Sequence, residues 1–166
     1  VRQLFNNLVE LGQHPKDYTD TITIMEKIGH FLDDAVYKLY KKLKQEGYNK
    51  IECSSIIAER LNIKKILKKA SKDWDGGYAM AGMIGHGDSF VFRDPSGIRP
   101  AYYYINDEVV VVASERPVIQ TVFNAAFSSV HELPPGSAII SKKSGETKIS
   151  QILKPKDRLA CSFERI

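Results

Sequence analysis

The sequence lacks most of the features that mark a secreted, membrane-bound or metal-binding protein. Its 166 residues include two cysteines, Cys53 and Cys161, with no CxxC spacing and no neighbouring pair of histidines. This pattern suggests neither a disulfide framework nor a zinc site, and it fits a reducing cytoplasm. No apolar run approaches the roughly 18 residues that a membrane helix needs, and no signal segment opens the chain. We therefore expect a cytoplasmic protein with no membrane partner.

The sequence also lacks a strong excess of charge of one sign. Lysine and arginine number 24 against 20 aspartates and glutamates, so the formal net charge is +4. So small an excess argues for nucleic-acid binding only where the cations form a local patch. Two lysine groups at helical spacing are interpreted as solvated helix faces, with nucleic-acid binding as the alternative. The groups are Lys38, Lys41, Lys42 and Lys44, and Lys64, Lys65, Lys68 and Lys69.

The first half of the chain carries helical periodicity. Apolar residues recur every three or four positions from Asp20 to Leu43, which predicts a helix that begins near Thr19 and ends near Gly47. A second helical stretch is predicted from Cys53 to Ser71, with an interruption at Asn62. Its predicted buried positions are Ile56, Ile57, Leu61, Ile66 and Leu67.

After Asp73-Trp74-Asp75-Gly76-Gly77 the pattern changes to short β-type runs, with one helix at Glu115–Phe123. Helices followed by antiparallel strands predict an α+β fold, and the chain length predicts one domain. Hairpin turns are predicted at Gly85–Asp88 and at Asn106-Asp107. The predicted strands are 78–84, 90–92, 101–105, 109–113, 128–132, 138–141 and 148–152.

One segment between two predicted strands is unusually rich in charge and proline. It reads Arg93-Asp94-Pro95-Ser96-Gly97-Ile98-Arg99-Pro100 and is named here the Arg93–Pro100 turn. Proline and glycine set its backbone angles, an aspartate can accept hydrogen bonds from its amides, and arginines offer planar guanidinium groups to carboxylates or carbonyls. Turn chemistry therefore predicts a buried turn held by its own side chains. The stabilising residues are predicted to be Arg93, Asp94, Gly97 and Arg99.

The order of several short motifs is more specific than any one of them. Together they resemble the glutaminase domain of the amidophosphoribosyltransferases, which belong to the N-terminal-nucleophile glutamine amidotransferases. Relatives that make asparagine or glucosamine phosphate share the turn and the Ala-Ser-Glu strand end, whereas Gly-His-Gly before the turn and CSFERI at the end favour the phosphoribosyl branch. The motifs are Gly77–Met80, Phe92–Pro100, Val112–Glu115, Pro135–Ser137 and Cys161–Glu164.

This resemblance implies a fold and a function. The fold is a four-layer αββα sandwich, here without its first strands, so residues 1–166 form part of a class II glutamine amidotransferase domain. The complete enzyme hydrolyses glutamine and passes the ammonia to phosphoribosyl pyrophosphate, giving phosphoribosylamine in purine biosynthesis. Its phosphoribosyltransferase domain, expected to hold Mg²⁺, lies outside this chain. The implied partners are glutamine, the rest of the same polypeptide and further copies in a homo-oligomer.

The resemblance also assigns substrate-binding residues. Thr19-Asp20-Thr21 matches a hydroxyl–Asp–hydroxyl segment at the start of a helix, where the aspartate receives the α-ammonium group of glutamine. A carboxylate is the natural acceptor for an ammonium group. The alternative is that Thr19 or Asp20 only caps the helix, since short oxygen-bearing side chains are preferred there. Both roles are compatible.

The catalytic residues of the family are expected outside this chain. The nucleophile is an amino-terminal cysteine whose free amine acts as base, and the arginine and Asn-Gly pair that complete the site also precede the matched segment. Val1 and the end of the chain at Ile166 are therefore expected to be cut points of a longer protein. Cys53 and Cys161 are internal, without the activation that a nucleophilic thiol needs.

It follows that the 166-residue chain alone should release no glutamate from glutamine. A coupled glutamate assay on the purified chain tests this. Measurable turnover would mean that an internal group acts as the nucleophile.

No metal site is predicted in the chain. The four histidines, His14, His30, His86 and His131, have no metal-ligand spacing and are interpreted as structural. Some family members hold an iron–sulfur cluster with a cysteine near the place of Cys161, but one cysteine cannot hold a cluster. Two other functions stay open, namely another amidotransferase of this fold and a non-catalytic relative with a binding role.

Overall fold

The computed structural model describes residues 2–13 and 19–159, and the first half of this range is helical. The helix predicted from Asp20 is confirmed, and it ends just before Gly47, whose positive φ of 93° glycine adopts readily. Met25, one of the apolar positions that predicted it, is exposed. The helices are α1 (Arg2–Glu10), α2 (Asp20–Gln45), α3 (Lys50–Arg60) and α4 (Ile63–Ala70).

Asparagine side chains set the boundaries of α3 and α4. Helix α3 begins earlier than predicted because Asn49 and Glu52 form a reciprocal capping box. The predicted interruption at Asn62 is confirmed, since the Asn62 side chain accepts a hydrogen bond of 2.9 Å from Lys65 N–H and starts α4. The predicted second helix is therefore two helices.

The chain divides into two compact units, residues 1–74 and 75–166. In the helical unit, Leu43, Cys53 and Ile57 form a buried cluster at the meeting of α2 and α3. Cys53 is fully buried, so it behaves as a small apolar core residue. Of the residues predicted to be buried, Ile56 is half-buried, and the other four are buried. No helix of the described residues is long and apolar enough to span a membrane.

Within its described residues, the second unit contains seven strands in two sheets. The sheet orders are β1-β2-β6-β7 and β4-β3-β5, and every neighbouring pair is antiparallel, as predicted. One helix, α5 (Arg116–Phe123), follows β4. The strands are β1 (Ala79–Met83), β2 (Ser89–Arg93), β3 (Tyr102–Ile105), β4 (Val110–Ala113), β5 (His131–Glu132), β6 (Ser137–Ser141) and β7 (Thr147–Gln151).

The strand predicted at 128–132 is mostly wrong. Phe127–Ser129 forms a short 3-10 helix, and only β5 pairs with another strand. The Arg116 guanidinium donates to the carbonyls of Phe127 and Val130 and lies over the Phe127 ring, with 4.4 Å from Cζ to the ring centroid. These carbonyls are therefore bound to a side chain and not to a neighbouring strand.

Both sheets contribute to one apolar core. Ala101, Leu133 and Ile139 are buried, and side chains from the two sheets pack against them. The added side chains are Val91 of β2, Tyr103 of β3 and Val112 of β4. The two sheets therefore pack against each other, and the Arg93–Pro100 turn leaves the end of β2 beside this core.

Candidate functional site

The Arg93–Pro100 turn is organised by the carboxylate of Asp94, which is fully buried. Oδ1 accepts from the backbone N–H groups of Ser96 and Ile98, each at 3.0 Å. Oδ2 accepts from Arg99 N–H at 3.0 Å and from Tyr78 N–H at 3.4 Å. One side chain thus binds four backbone donors and joins the turn to the residue that precedes β1.

The guanidinium of Arg93 supplies the donors for the carbonyls of the same region. Arg93 is 1% exposed, and its Nε, Nη1 and Nη2 donate to the carbonyls of Arg99, Leu133 and Gly97 at 2.7, 2.6 and 3.1 Å. Nη1 also lies 2.8 Å from Glu132 Oε1. The buried cation therefore has a carboxylate partner and fixes the turn against the start of the β5–β6 connection.

Gly97 and Arg99 serve the turn through their backbones. Gly97 has a φ of +63°, and a Cβ there would lie 3.0 Å from Pro135 Cγ and 3.3 Å from Arg93 Nη2. Both the backbone conformation and the space therefore favour glycine. The side chain of Arg99 is exposed, while its N–H binds Asp94 and its carbonyl binds Arg93.

The electrostatics of the turn suit a structural role. Burial, and then the negative charge of Asp94, raise the pKa of Tyr78 far above its usual range. The Tyr78 ring packs edge-on against Phe92, with 5.3 Å between the centroids. Tyr78 therefore stays protonated at physiological pH. Arg93 and Asp94 are both fully engaged and buried, so neither offers an accessible acid or base to a substrate.

The turn also binds the segment after β7, which the sequence did not predict. Lys156 N–H donates to the carbonyl of Pro95 at 2.8 Å. The Arg158 guanidinium donates to Glu132 Oε1 at 2.9 Å, and this carboxylate oxygen also pairs with Arg93. The turn thus fixes the path of the chain toward its last residues.

Thr19, Asp20 and Thr21 lie at the start of α2. Thr19 occupies the N-cap position, yet its side chain makes no cap hydrogen bond, and its carbonyl accepts from Thr23 N–H at 3.0 Å. Asp20 and Thr21 are exposed. Among the residues that the structure describes, none donates a hydrogen bond to the Asp20 carboxylate. A carboxylate in the first helical turn is favoured by the helix dipole and is here free to bind a ligand.

The structure describes these two groups in separate units, Asp20 in the helical unit and the turn in the strand unit. His14 and Cys161 lie outside the described residues. Within residues 2–13 and 19–159, no three His, Cys, Asp or Glu side chains come together as a metal site. The other histidines contact neighbouring side chains, with His30 against Phe31, His86 beside Asp88 and His131 against Tyr103.

Comparison with known proteins confirms the resemblance to the amidophosphoribosyltransferases. The chain is 34% identical over 105 residues to an amidophosphoribosyltransferase of Pasteurella multocida (strain Pm70), a match that covers 60% of the chain. The chain spans about a fifth of the length of this curated relative (20%). No family model matches the chain.

Solved structures share the fold. A glutamine phosphoribosylpyrophosphate amidotransferase from B. subtilis, complexed with ADP and GMP, matches with a TM-score of 0.67 and 23% identity, over 98% of this chain and 29% of that one. A structure described as the allosteric regulatory enzyme of purine biosynthesis matches with a TM-score of 0.50 and 24% identity, over 78% and 28%. The chain therefore has the mixed fold with antiparallel sheets of these amidotransferases.

Proposed function

We propose that this chain is part of the glutamine-hydrolysing domain of an amidophosphoribosyltransferase. The complete protein transfers the amide nitrogen of glutamine to phosphoribosyl pyrophosphate, giving phosphoribosylamine for de novo purine biosynthesis. The observation that carries the proposal is the sequence identity of 34% over 105 residues with an amidophosphoribosyltransferase. The fold shared with a glutamine phosphoribosylpyrophosphate amidotransferase over 98% of the chain is consistent with it.

For the complete domain we propose the four-layer αββα sandwich of the N-terminal-nucleophile hydrolases. The apolar core shared by the two antiparallel sheets supports a pair of inner sheet layers. Residues 1–166 are one part of this domain, and further strands come from outside the chain.

Within the proposed domain, Asp20 binds the α-ammonium group of glutamine, with Thr19 and Thr21 beside it. The exposed, unpaired carboxylate at the start of α2 supports this role, because an ammonium group gains most from an ionised acceptor. A peptide-bound glutamine lacks the ammonium group and would leave Asp20 without its partner. The Arg93–Pro100 turn is architectural and fixes the sheet end and the segment after β7.

The remaining components belong to parts of the protein outside this chain. They are the nucleophilic cysteine with its amine base, the carboxylate-binding arginine, the oxyanion hole and a phosphoribosyltransferase domain with Mg²⁺. Cytoplasmic location and a homo-oligomer complete the proposal. The names of the matched proteins favour phosphoribosyl pyrophosphate as acceptor over the acceptors of asparagine or glucosamine-phosphate synthesis.

A diazoketone analogue of glutamine tests whether the full-length protein has a working glutaminase site. The reagent resembles glutamine and alkylates a nucleophile that attacks its carbonyl region. We expect it to abolish glutamine-dependent synthesis and to spare ammonia-dependent synthesis. A C–S bond should form at an amino-terminal cysteine as N2 leaves, so this cysteine should gain the mass of the reagent less that of N2. Synthesis from glutamine that survives full treatment, or a protein with no turnover and no label, would favour a non-catalytic relative or another chemistry.

A further inference from the structure

A groove in the helical unit collects cations from separate helices. It lies between α2 on one side and the end of α3 with α4 on the other, and it encloses a cavity of about 310 Å³. This volume is at the lower end of the roughly 300–1,000 Å³ that small-ligand pockets occupy. Its charged residues are Asp34, Lys38, Lys42, Arg60, Lys65 and Lys69, named here the lysine groove.

Each of the two lysine groups identified in the sequence contributes two of its four lysines to the lysine groove. Lys38 and Lys42 of α2 face Lys65 and Lys69 of α4 across the cavity, while the other four lysines of the two groups are not among its lining residues. The groove holds five cations and one carboxylate, a net charge of +4, which equals the formal net charge of the whole chain. The groove is therefore a local patch of positive charge on a chain of small net charge.

The carboxylate of the groove, Asp34, pairs with two of these cations and offsets one positive charge. Asp34 lies 2.7 Å from Lys38 Nζ and 3.6 Å from Lys69 Nζ, and the hydrogen bond from Lys38 lowers the pKa of Asp34. Lys42 lies 3.8 Å from a carboxylate oxygen of Glu46. No carboxylate of the described residues pairs with Arg60 or with Lys65. Two cations on the α3–α4 side thus lack a counter-ion.

The floor of the lysine groove is apolar. Leu61 and Ile66 are buried, at 5% and 3% exposure, and Phe31 and Leu39 are half-buried. Lys69 Nζ lies 5.8 Å from the centre of the Phe31 ring, so the rim and the floor adjoin. An occupant would therefore meet hydrocarbon below and positive charge at the edge.

We propose that the lysine groove binds a small organic phosphate, a phosphate monoester with an apolar body. A phosphate monoester carries about −1.5 to −2 charges near pH 7, which matches the two cations without counter-ions. Arginine binds phosphate through two parallel N–H donors, and lysine adds a point charge. The body covers the apolar floor and gains the free energy of removing both surfaces from water.

Hexyl phosphate is the probe for this site, measured by calorimetric titration of the full-length protein. Three comparison ligands are titrated in the same way. Inorganic phosphate has only the charged group, hexanol has only the apolar chain, and a single-stranded oligonucleotide is an extended polyanion. We expect one-to-one binding of hexyl phosphate, at least roughly tenfold tighter than inorganic phosphate, because about 1.4 kcal/mol of apolar burial suffices for that factor. Hexanol should bind too weakly to titrate.

Two double variants separate a local site from a diffuse positive field. Arg60→Gln with Lys65→Gln should weaken hexyl phosphate binding by roughly tenfold or more, the effect expected when two charge-assisted contacts are lost. Lys64→Gln with Lys68→Gln removes the same charge from exposed positions outside the groove and should change the affinity less than about threefold. Ala35→Leu keeps every charge but fills the floor, so it should weaken hexyl phosphate and leave inorganic phosphate unchanged. Circular dichroism checks the fold of each variant.

Several results would overturn the proposal. Equal weakening by the two double variants would indicate a diffuse field. Equal affinities for hexyl phosphate and inorganic phosphate would remove the apolar subsite. An oligonucleotide that binds more tightly than hexyl phosphate, with equal losses in both double variants, would identify a polyanion-binding surface. Absence of any hexyl phosphate binding to the folded wild-type protein would end the proposal outright.

Discussion

Asp94→Ala is expected to lower the free energy of unfolding by about 3 kcal/mol, because it leaves buried backbone donors without an acceptor. Each unsatisfied donor costs about 1–3 kcal/mol, and relaxation of the turn recovers part of the total. Asp94 accepts from four N–H groups in the folded protein. For a chain of this length such a loss corresponds to a fall in Tm of roughly 6–12 °C. Thermal melting followed by circular dichroism measures it.

Asp107→Ala is the matched control for this substitution. Asp107 is exposed in the turn between β3 and β4, and its removal deletes the same charge, so the change should stay within about 0.5 kcal/mol. Asp94→Asn should resemble Asp94→Ala, since an amide nitrogen would face backbone donors with a donor of its own. If the Tm of Asp94→Ala equals that of the wild type, the turn is a loose surface loop and its hydrogen bonds contribute nothing to stability.

Asp20→Asn in the full-length enzyme is expected to reduce kcat/KM for glutamine roughly 30- to 160-fold. This corresponds to a loss of about 2–3 kcal/mol of transition-state stabilisation. Asparagine keeps the shape of aspartate but removes the charge that an ammonium group binds. Thr19 and not Asp20 occupies the N-cap position, so the helix loses only the favourable interaction of a first-turn carboxylate with the helix dipole. Synthesis from free ammonia should be unchanged, because that route does not use the glutamine pocket. Parallel assays with glutamine and with ammonium chloride give the two rates.

Asp33→Asn is the control, being the same change at an exposed position of the same helix. It should leave both routes unaltered. Normal glutamine kinetics in Asp20→Asn would limit Asp20 to a structural role at the helix start. Loss of both routes together would indicate a folding defect instead of a binding defect.

Much of the strand unit could be predicted from the sequence, because its signals are local. Gly85–Asp88 and Asn106-Asp107 mark tight turns between alternating runs, and β1–β2 and β3–β4 pair across them. The start of α2 could also be predicted from the sequence, because the change from polar to periodic apolar residues falls at Asp20.

The rest depends on contacts between residues far apart in the chain. The strand expected at 128–132 is shortened by Arg116, whose guanidinium binds carbonyls 11 and 14 residues away. The pairing of Glu132 with Arg158 has no local signal either. Lysine spacing indicated helix faces, but whether two such faces meet across a groove is decided by helix packing.

The central claim is tested most directly by following the amide nitrogen of glutamine. The full-length protein is incubated with amide-labelled glutamine, phosphoribosyl pyrophosphate and Mg²⁺, and the products are analysed by mass spectrometry. Fructose 6-phosphate, and aspartate with ATP, replace phosphoribosyl pyrophosphate in control reactions. The account predicts labelled phosphoribosylamine with equal amounts of glutamate and pyrophosphate, and no transfer to the other acceptors. Label in glucosamine phosphate or asparagine would contradict it. So would the absence of any glutamate from purified, folded full-length protein.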